Sequence, residues 1–200
     1  MYLSRIHVQW PKSKSAYTLH KALWELFPNR PDDERDFLFR VEQEKIGVGA
    51  VLLLQSQHEP AKAAESIDVA ATRDFSLNIT EGLRVRFLLK ANPVKTINDE
   101  KGRTNSKGEV KKCRVPLIKE SEQLQWLQRR FGGVAQLEEV EVSPCLPLYF
   151  KKHQQAGKIV PVKYQGVLTV NDATAFTLLI QNGLGPAKAL GCGMVSIAPA

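Results

Sequence analysis

Proton transfer near neutral pH calls first for histidine, since imidazole titrates near ~6.5, and only one of the four histidines falls in a structured apolar context. His20 lies in the run Ser15 to Phe27, where Leu19, Leu23, Leu26 and Phe27 recur at helical spacing. On such a helix Tyr17, His20 and Trp24 share one flank beside the apolar stripe, and Tyr17 and His20 are i,i+3 neighbours. A phenol and an imidazole presented together on the rim of a groove suit general acid–base chemistry. The same pattern also describes a satisfied surface histidine on an amphipathic helix. His7 sits on the outer face of a strand, and His58 and His153 belong to loops.

A second constellation is the run Gly183-Leu-Gly185-Pro-Ala-Lys188-Ala-Leu-Gly191-Cys-Gly193. Its glycines let backbone amides approach an anion closely, with Lys188 as the point charge. It ends without Gly-Lys-Ser/Thr and leads into a strand, not a helix, so it is neither a P-loop nor a dinucleotide fingerprint. The alternative is a long turn that needs positive φ angles.

Charge supplies the third signal. The formal net charge is +7, and residues 90–119 hold nine Lys or Arg against three acidic residues, so nearly all of the excess is in that segment. A basic stretch in an otherwise near-neutral chain fits phosphate-backbone binding, in which each neutralised phosphate releases condensed counterions. Lys95, Arg103, Lys107, Lys111, Lys112 and Arg114 are the candidate contacts, with arginine better suited than lysine to a guanine edge. A solvated loop would carry the same letters.

Other chemistries find little support. The three cysteines, Cys113, Cys145 and Cys192, stand far apart, which argues against both a disulfide framework and a zinc knuckle. The acidic run Asp32, Asp33, Glu34 and Asp36 resembles a turn or helix-start signal, so no metal and no cofactor is expected. Asn78-Ile-Thr80 matches a glycosylation sequon but falls in an expected strand. The longest aliphatic run, Ala50 to Leu54, is far short of the ~20 residues of a membrane span, and residues 1–14 lack a signal-peptide apolar region. A soluble, cytoplasmic protein in a reducing compartment is expected.

These groups need a scaffold, and the hydrophobic pattern outlines one. Tyr2, Ile6, Val8 and Trp10 fall on one face and Arg5, His7 and Gln9 on the other in a first strand that ends at Pro11, followed by the His20 helix. Strands at Phe37 to Val41 and Ala50 to Gln55, a weaker helix over 60–69, and strands at Phe75 to Ile79 and Leu83 to Leu89 complete a first unit over 1–90. The second unit, 91–200, opens with a hairpin of Val94 to Ile97 and Val110 to Val115, then a helix from Ser121 to Phe131. Strands at Gln136 to Val142, Leu146 to Phe150, Ile159 to Tyr164 and Val167 to Val170 precede a helix capped by Asn171 or Asp172 and a last strand from Met194 to Ala198. The expected fold class is α+β, two tandem ferredoxin-like (split βαβ) domains.

In motif order, Tyr17-Thr-Leu-His20, Leu26-Phe-Pro-Asn-Arg-Pro31, Phe87-Leu-Leu-Lys-Ala-Asn-Pro-Val-Lys95, Cys113-Arg-Val-Pro-Leu-Ile-Lys-Glu120, Trp126-Leu-Gln-Arg129 and the Gly183 to Gly193 loop resemble the CRISPR-associated endoribonucleases of the CasE/Cse family. The likeness runs from Met1 to Ser196-Ile-Ala-Pro199. It implies metal-independent cleavage of precursor CRISPR RNA within each repeat and retention of the product in the type I-E Cascade complex, with repeat RNA and the other Cascade subunits as partners. It places the catalytic histidine at His20 and its tyrosine at Tyr17, the RNA-gripping hairpin at Asn92 to Val115, and the glycine-rich loop at Gly183, Gly185, Lys188, Gly191 and Gly193. Cleavage without a metal can use the substrate's 2′-hydroxyl as nucleophile, leaving a 2′,3′-cyclic phosphate and a 5′-hydroxyl. The rival expectation is a non-catalytic module that binds structured RNA.

Overall fold

A computed structural model describes residues 1–28, 34–152 and 155–200. Asp32 and Asp33 of the acidic run, part of the Leu26–Pro31 motif, and His153 lie outside the described residues. Strand β1 (Tyr2–Gln9) alternates as expected, burying Ser4, Ile6 and Val8 and exposing Arg5, His7 and Gln9. A short helix α1 (Trp10–Ser13) follows, then α2 (Ala16–Trp24), β2 (Phe37–Lys45), β3 (Gly49–Ser56), β4 (Ala63–Ala64) and β5 (Ile67–Asp74). These strands form one sheet in the order β2-β3-β1-β5-β4, with β1 antiparallel to both β3 and β5. Leu19, Leu23, Leu26 and Phe27 pack on Ile6, Phe37, Phe39, Leu52 and Leu54 to make the first core.

The second sheet uses β6 (Arg84–Ala91), β9 (Ala135–Pro144), β12 (Val162–Val170) and β13 (Val195–Pro199) in the order β13-β6-β12-β9. Helices α3 (Glu120–Phe131) and α4 (Ala173–Asn182) cross between its strands, giving a complete split βαβ unit. Two hairpins project from it: β7 (Val94–Asn98) with β8 (Lys112–Pro116), and β10 (Leu148–Lys152) with β11 (Gln155–Ile159). Phe87, Leu89, Trp126, Phe131, Tyr164 and Phe176 dominate the second core. The tandem ferredoxin-like expectation holds for the fold.

Four local expectations change. The helix over 60–69 is β4 and the start of β5 instead, because Ser66 takes a left-handed φ of 62° that breaks any helix there, while Ile67 packs into the first core. The first unit therefore lacks its second crossover helix. Residues 75–80 form no strand, although Leu77 and Ile79 pack against the second core. The strand at Leu83 to Leu89 is β6, and it pairs with β12 and β13, so the break between the sheets falls before residue 84 and not at 90. Alternation identifies a strand but not its partner, and here Val85, Phe87 and Leu89 face the second core. Finally, the two strands separated by Gly166 are one continuous β12, and the glycine lets β9 approach: a Cβ there would meet the Glu139 carbonyl oxygen.

The two cores are joined by specific contacts. Gln55 Nε2 on β3 donates to the Ile180 carbonyl of α4 at 2.9 Å, and Arg40 Nη1 on β2 donates to Ser196 Oγ on β13 at 2.8 Å.

Candidate active site

Helix α2 is set by its first turn. Ser15 Oγ accepts from the Thr18 amide at 3.2 Å and Thr18 Oγ1 accepts from the Ser15 amide at 3.0 Å, so two orphan donors are satisfied reciprocally. With Leu19, Ala22 and Leu23 turned into the core, His20 is left at the edge, half-buried. Its ring centroid lies 5.9 Å from that of Phe37 and 6.5 Å from that of Trp24. His20 Nδ1 is sealed from solvent without a hydrogen-bond partner among the described residues. Burial lowers the His20 pKa below its ordinary value, and the positive charge of Arg35 lowers it further, so the ring is neutral at pH 7. Tyr17, one turn earlier, is half-buried, and Lys21 Nζ stands 5.1 Å from its ring centroid.

The glycine loop follows α4, whose start is capped by Asp172 accepting from the Ala175 amide at 2.8 Å. Gly183 adopts φ 68° and ψ 169°, a conformation reserved for glycine, and a Cβ there would press on Leu38 and the Gly193 carbonyl. The loop fills the seam between the cores: Gly191 lies against the Phe39 ring and Gly185 against Trp126. The amides of Gly183, Leu184, Gly191, Cys192 and Gly193 all donate to protein carbonyls. Three of the four glycines expected to open backbone amides to an anion therefore serve packing instead, because a chain threaded between two cores must satisfy its own buried donors. Cys192 is fully buried between two of them, and desolvation pushes its thiol up to about 12.

The charge on that loop behaves differently. Residues 188–190 form a 3-10 turn that packs on α2 and β2, which brings the Lys188 segment to the histidine helix. Lys188 Nζ donates to the Asn182 carbonyl at 2.6 Å and has no carboxylate partner among the described residues. Its pKa is lowered by burial first, then by the charges of Arg35 and Arg130. Neither Arg35 nor Arg130 stands out in the sequence. Arg35 was hidden in an acidic run, and Arg130, whose guanidinium lies 5.4 Å from the Trp126 ring centroid, follows a motif that ended at Arg129. The β10–β11 hairpin also packs on α2, with Lys158 Nζ 5.4 Å from the Tyr149 ring centroid.

The basic segment is an ordered hairpin. Thr104 and Val110 form a bridge beyond β7 and β8, and Asn105 Oδ1 accepts from the amides of Lys107 and Glu109. Arg103 is committed internally: its guanidinium donates to both Asp99 oxygens, at 3.0 and 2.7 Å, and holds that carboxyl well below the usual range. Lys95 reaches Glu122 at 3.3 Å. Lys107, Lys111, Lys112 and Arg114 stay exposed without a carboxylate partner among the described residues. The hairpin belongs to the second unit, whereas Tyr17 and His20 belong to the first.

An imidazole flanked by Arg35 and the Lys188 turn, neither cation with a carboxylate partner among the described residues, suits a phosphodiester, and on a tandem ferredoxin-like chain with a basic hairpin it defines a protein that handles nucleic acid. The family model described as CRISPR associated protein matches residues 1–199, and the chain belongs to that family. It is 47% identical, over 100% of both chains, to the Cascade subunit CasE of Escherichia coli K12. It superposes on the crystal structure of Cas6e from Escherichia coli K-12 with a TM-score of 0.87 and 44% identity, again covering 100% of each. The CRISPR-associated endoribonuclease Cse3 of Thermus thermophilus is 29% identical over 100% of both chains. Its pre-cleavage complex with RNA superposes with a TM-score of 0.75, covering 99% of each chain at 27% identity.

Proposed function

We propose that this chain is a metal-independent endoribonuclease that cuts precursor CRISPR RNA within each repeat and remains on the guide RNA as a Cascade subunit in the cytoplasm. The observation that carries the chemistry is His20, half-buried and with a ring nitrogen that has no partner among the described residues, on a helix against which the Lys188 turn packs. The full-length likeness to CasE and Cse3 supports the substrate and the assembly.

In the reaction the 2′-oxygen attacks the adjacent phosphorus and the bond from phosphorus to the 5′-oxygen breaks. The 2′-hydroxyl proton leaves to a base and the departing 5′-oxygen gains a proton. His20 performs one of these transfers, and Tyr17 orients the ribose or phosphate by a hydrogen bond. One imidazole cannot be base and acid at the same instant, so water or a second group completes the exchange. Lys107, Lys111, Lys112 and Arg114 grip stem phosphates, since the major groove of A-form RNA is too deep and narrow for most side chains.

Labelled repeat RNA tests this directly. Cleavage should persist in EDTA and stop when the nucleotide 5′ to the cut is 2′-deoxy, while binding survives. An RNA that is shifted in a gel but never cut would leave a binding module, and a deoxy substrate that is still cut would move the nucleophile to water or the protein.

A further inference from the structure

Arg35 stands two residues ahead of β2, close to Phe37, whose ring packs against His20. The side chain is half-buried, and its Nη1 is sealed from solvent without an acceptor among the described residues. Asp36, next in the chain, pairs with His58, Oδ2 to Nδ1 at 2.6 Å. A guanidinium nitrogen withdrawn from water with no acceptor among the described residues destabilises the free protein. Its place beside the histidine helix points to an anion that arrives with the substrate.

We propose that Arg35 is a further catalytic residue, its Nη1 donating to a nonbridging oxygen of the scissile phosphate while His20 moves the proton. This rests on assigning cleavage to the His20 centre. As the 2′-oxygen bonds to phosphorus, the phosphodiester monoanion passes through a five-coordinate state with one more negative charge, and returns to a monoanion when the 5′-oxygen leaves protonated. A preorganised donor at that oxygen stabilises the extra charge without reorganisation. The elements around His20 carry Arg35 ahead of β2, Lys188 on the 3-10 turn, Tyr149 and Lys158 on the β10–β11 hairpin, and Tyr17 and Lys21 on α2 itself. Of these, Arg35 is the one whose charge lowers the His20 pKa.

Single-turnover cleavage at saturating protein, with Arg35→Gln and Arg35→Lys, is the test. Arg35→Gln should slow cleavage by about 100-fold, the loss expected for one donor to a developing oxyanion, and Arg35→Lys should recover part of it. A phosphorothioate at one nonbridging position of the cut should slow the native protein but have little further effect on Arg35→Gln. The histidine limb of the kcat/KM profile should move up toward ~6.5 in Arg35→Gln and stay low in Arg35→Lys. A full rate in Arg35→Gln, or a slow variant that keeps the native phosphorothioate effect and pH limb, would overturn the assignment. Should Arg35→Gln fail to fold, Arg35→Lys decides by the phosphorothioate comparison alone, an unaltered thio effect at native rate counting against the contact. A His20→Ala protein that still cuts would sink the underlying cleavage centre instead, whatever Arg35 does.

Discussion

A histidine on an amphipathic helix is ordinarily unremarkable, and the environment of His20 is what separates it from that background. Phe37 and Trp24 desolvate one side of its ring while Arg35 adds a positive charge, and both effects favour the neutral form. His20→Ala should abolish cleavage and leave RNA affinity within a few-fold, because one neutral ring is a small part of a polyanion interface. Parallel loss of binding in a gel-shift titration would make the residue structural. Tyr17→Phe should slow the cut about 10- to 100-fold, the worth of a hydrogen bond of ~1.5–3 kcal/mol. Since a depressed pKa keeps the ring unprotonated to lower pH, a base role predicts a rate that falls only as pH drops through a value below ~6.5. A rate that climbs instead as pH drops would give His20 the acid half of the transfer. Periodicity made His20 and Tyr17 legible, because both lie beside a stripe that the sequence displays. Arg35 was not legible: its burial comes from how β2 meets α2, and nothing in Glu34-Arg35-Asp36 encodes that.

Among the elements, strongly periodic segments are legible from neighbouring letters, whereas weak local patterns such as 60–69 and 75–79, and the choice of a distant strand partner, are not. The His20 helix, the helix ending at Phe131 and the β7–β8 hairpin each follow from neighbouring letters. The pairing of β6 with β12 and β13 and the continuity of β12 through Gly166 depend on chain segments far away in sequence. The glycine loop is the clearest case, since its composition suggested an anion cradle and its packing shows a gasket between two cores. Gly183→Ala therefore belongs with stability more than with binding. Backbone strain alone should cost about 1–3 kcal/mol, read as a lower urea midpoint, and a protein with an unchanged midpoint would mean the loop relaxes freely around a Cβ.

Across the whole molecule, the exposed basic hairpin and the proposed His20 centre belong to different units. The exposed lysines and Arg114 are carried by the hairpin of the second unit, while His20 and Tyr17 are carried by the first, so the proposed cleavage requires an RNA that spans both. Replacing Lys107, Lys111, Lys112 and Arg114 one at a time with alanine should weaken binding and reduce the slope of log K against log salt by roughly 0.7–0.9 for each phosphate contact removed. Arg103→Ala should leave that slope nearly unchanged, because its guanidinium already serves Asp99. A drop equal to that of Lys111→Ala would show that RNA displaces Asp99.

The burial of Cys192 offers a chemical clock for the seam. A thiol with no exposed surface and a pKa pushed up to about 12 is inert toward disulfide reagents at neutral pH. With Cys113 and Cys145 replaced by serine, any modification of the protein must wait for the loop to lift from between its two cores. The labelling rate then reports how often the halves part, residue by residue of added RNA, and it should fall when uncleavable repeat RNA clamps both units together. If bound RNA leaves the rate untouched, the two halves breathe independently of what they hold.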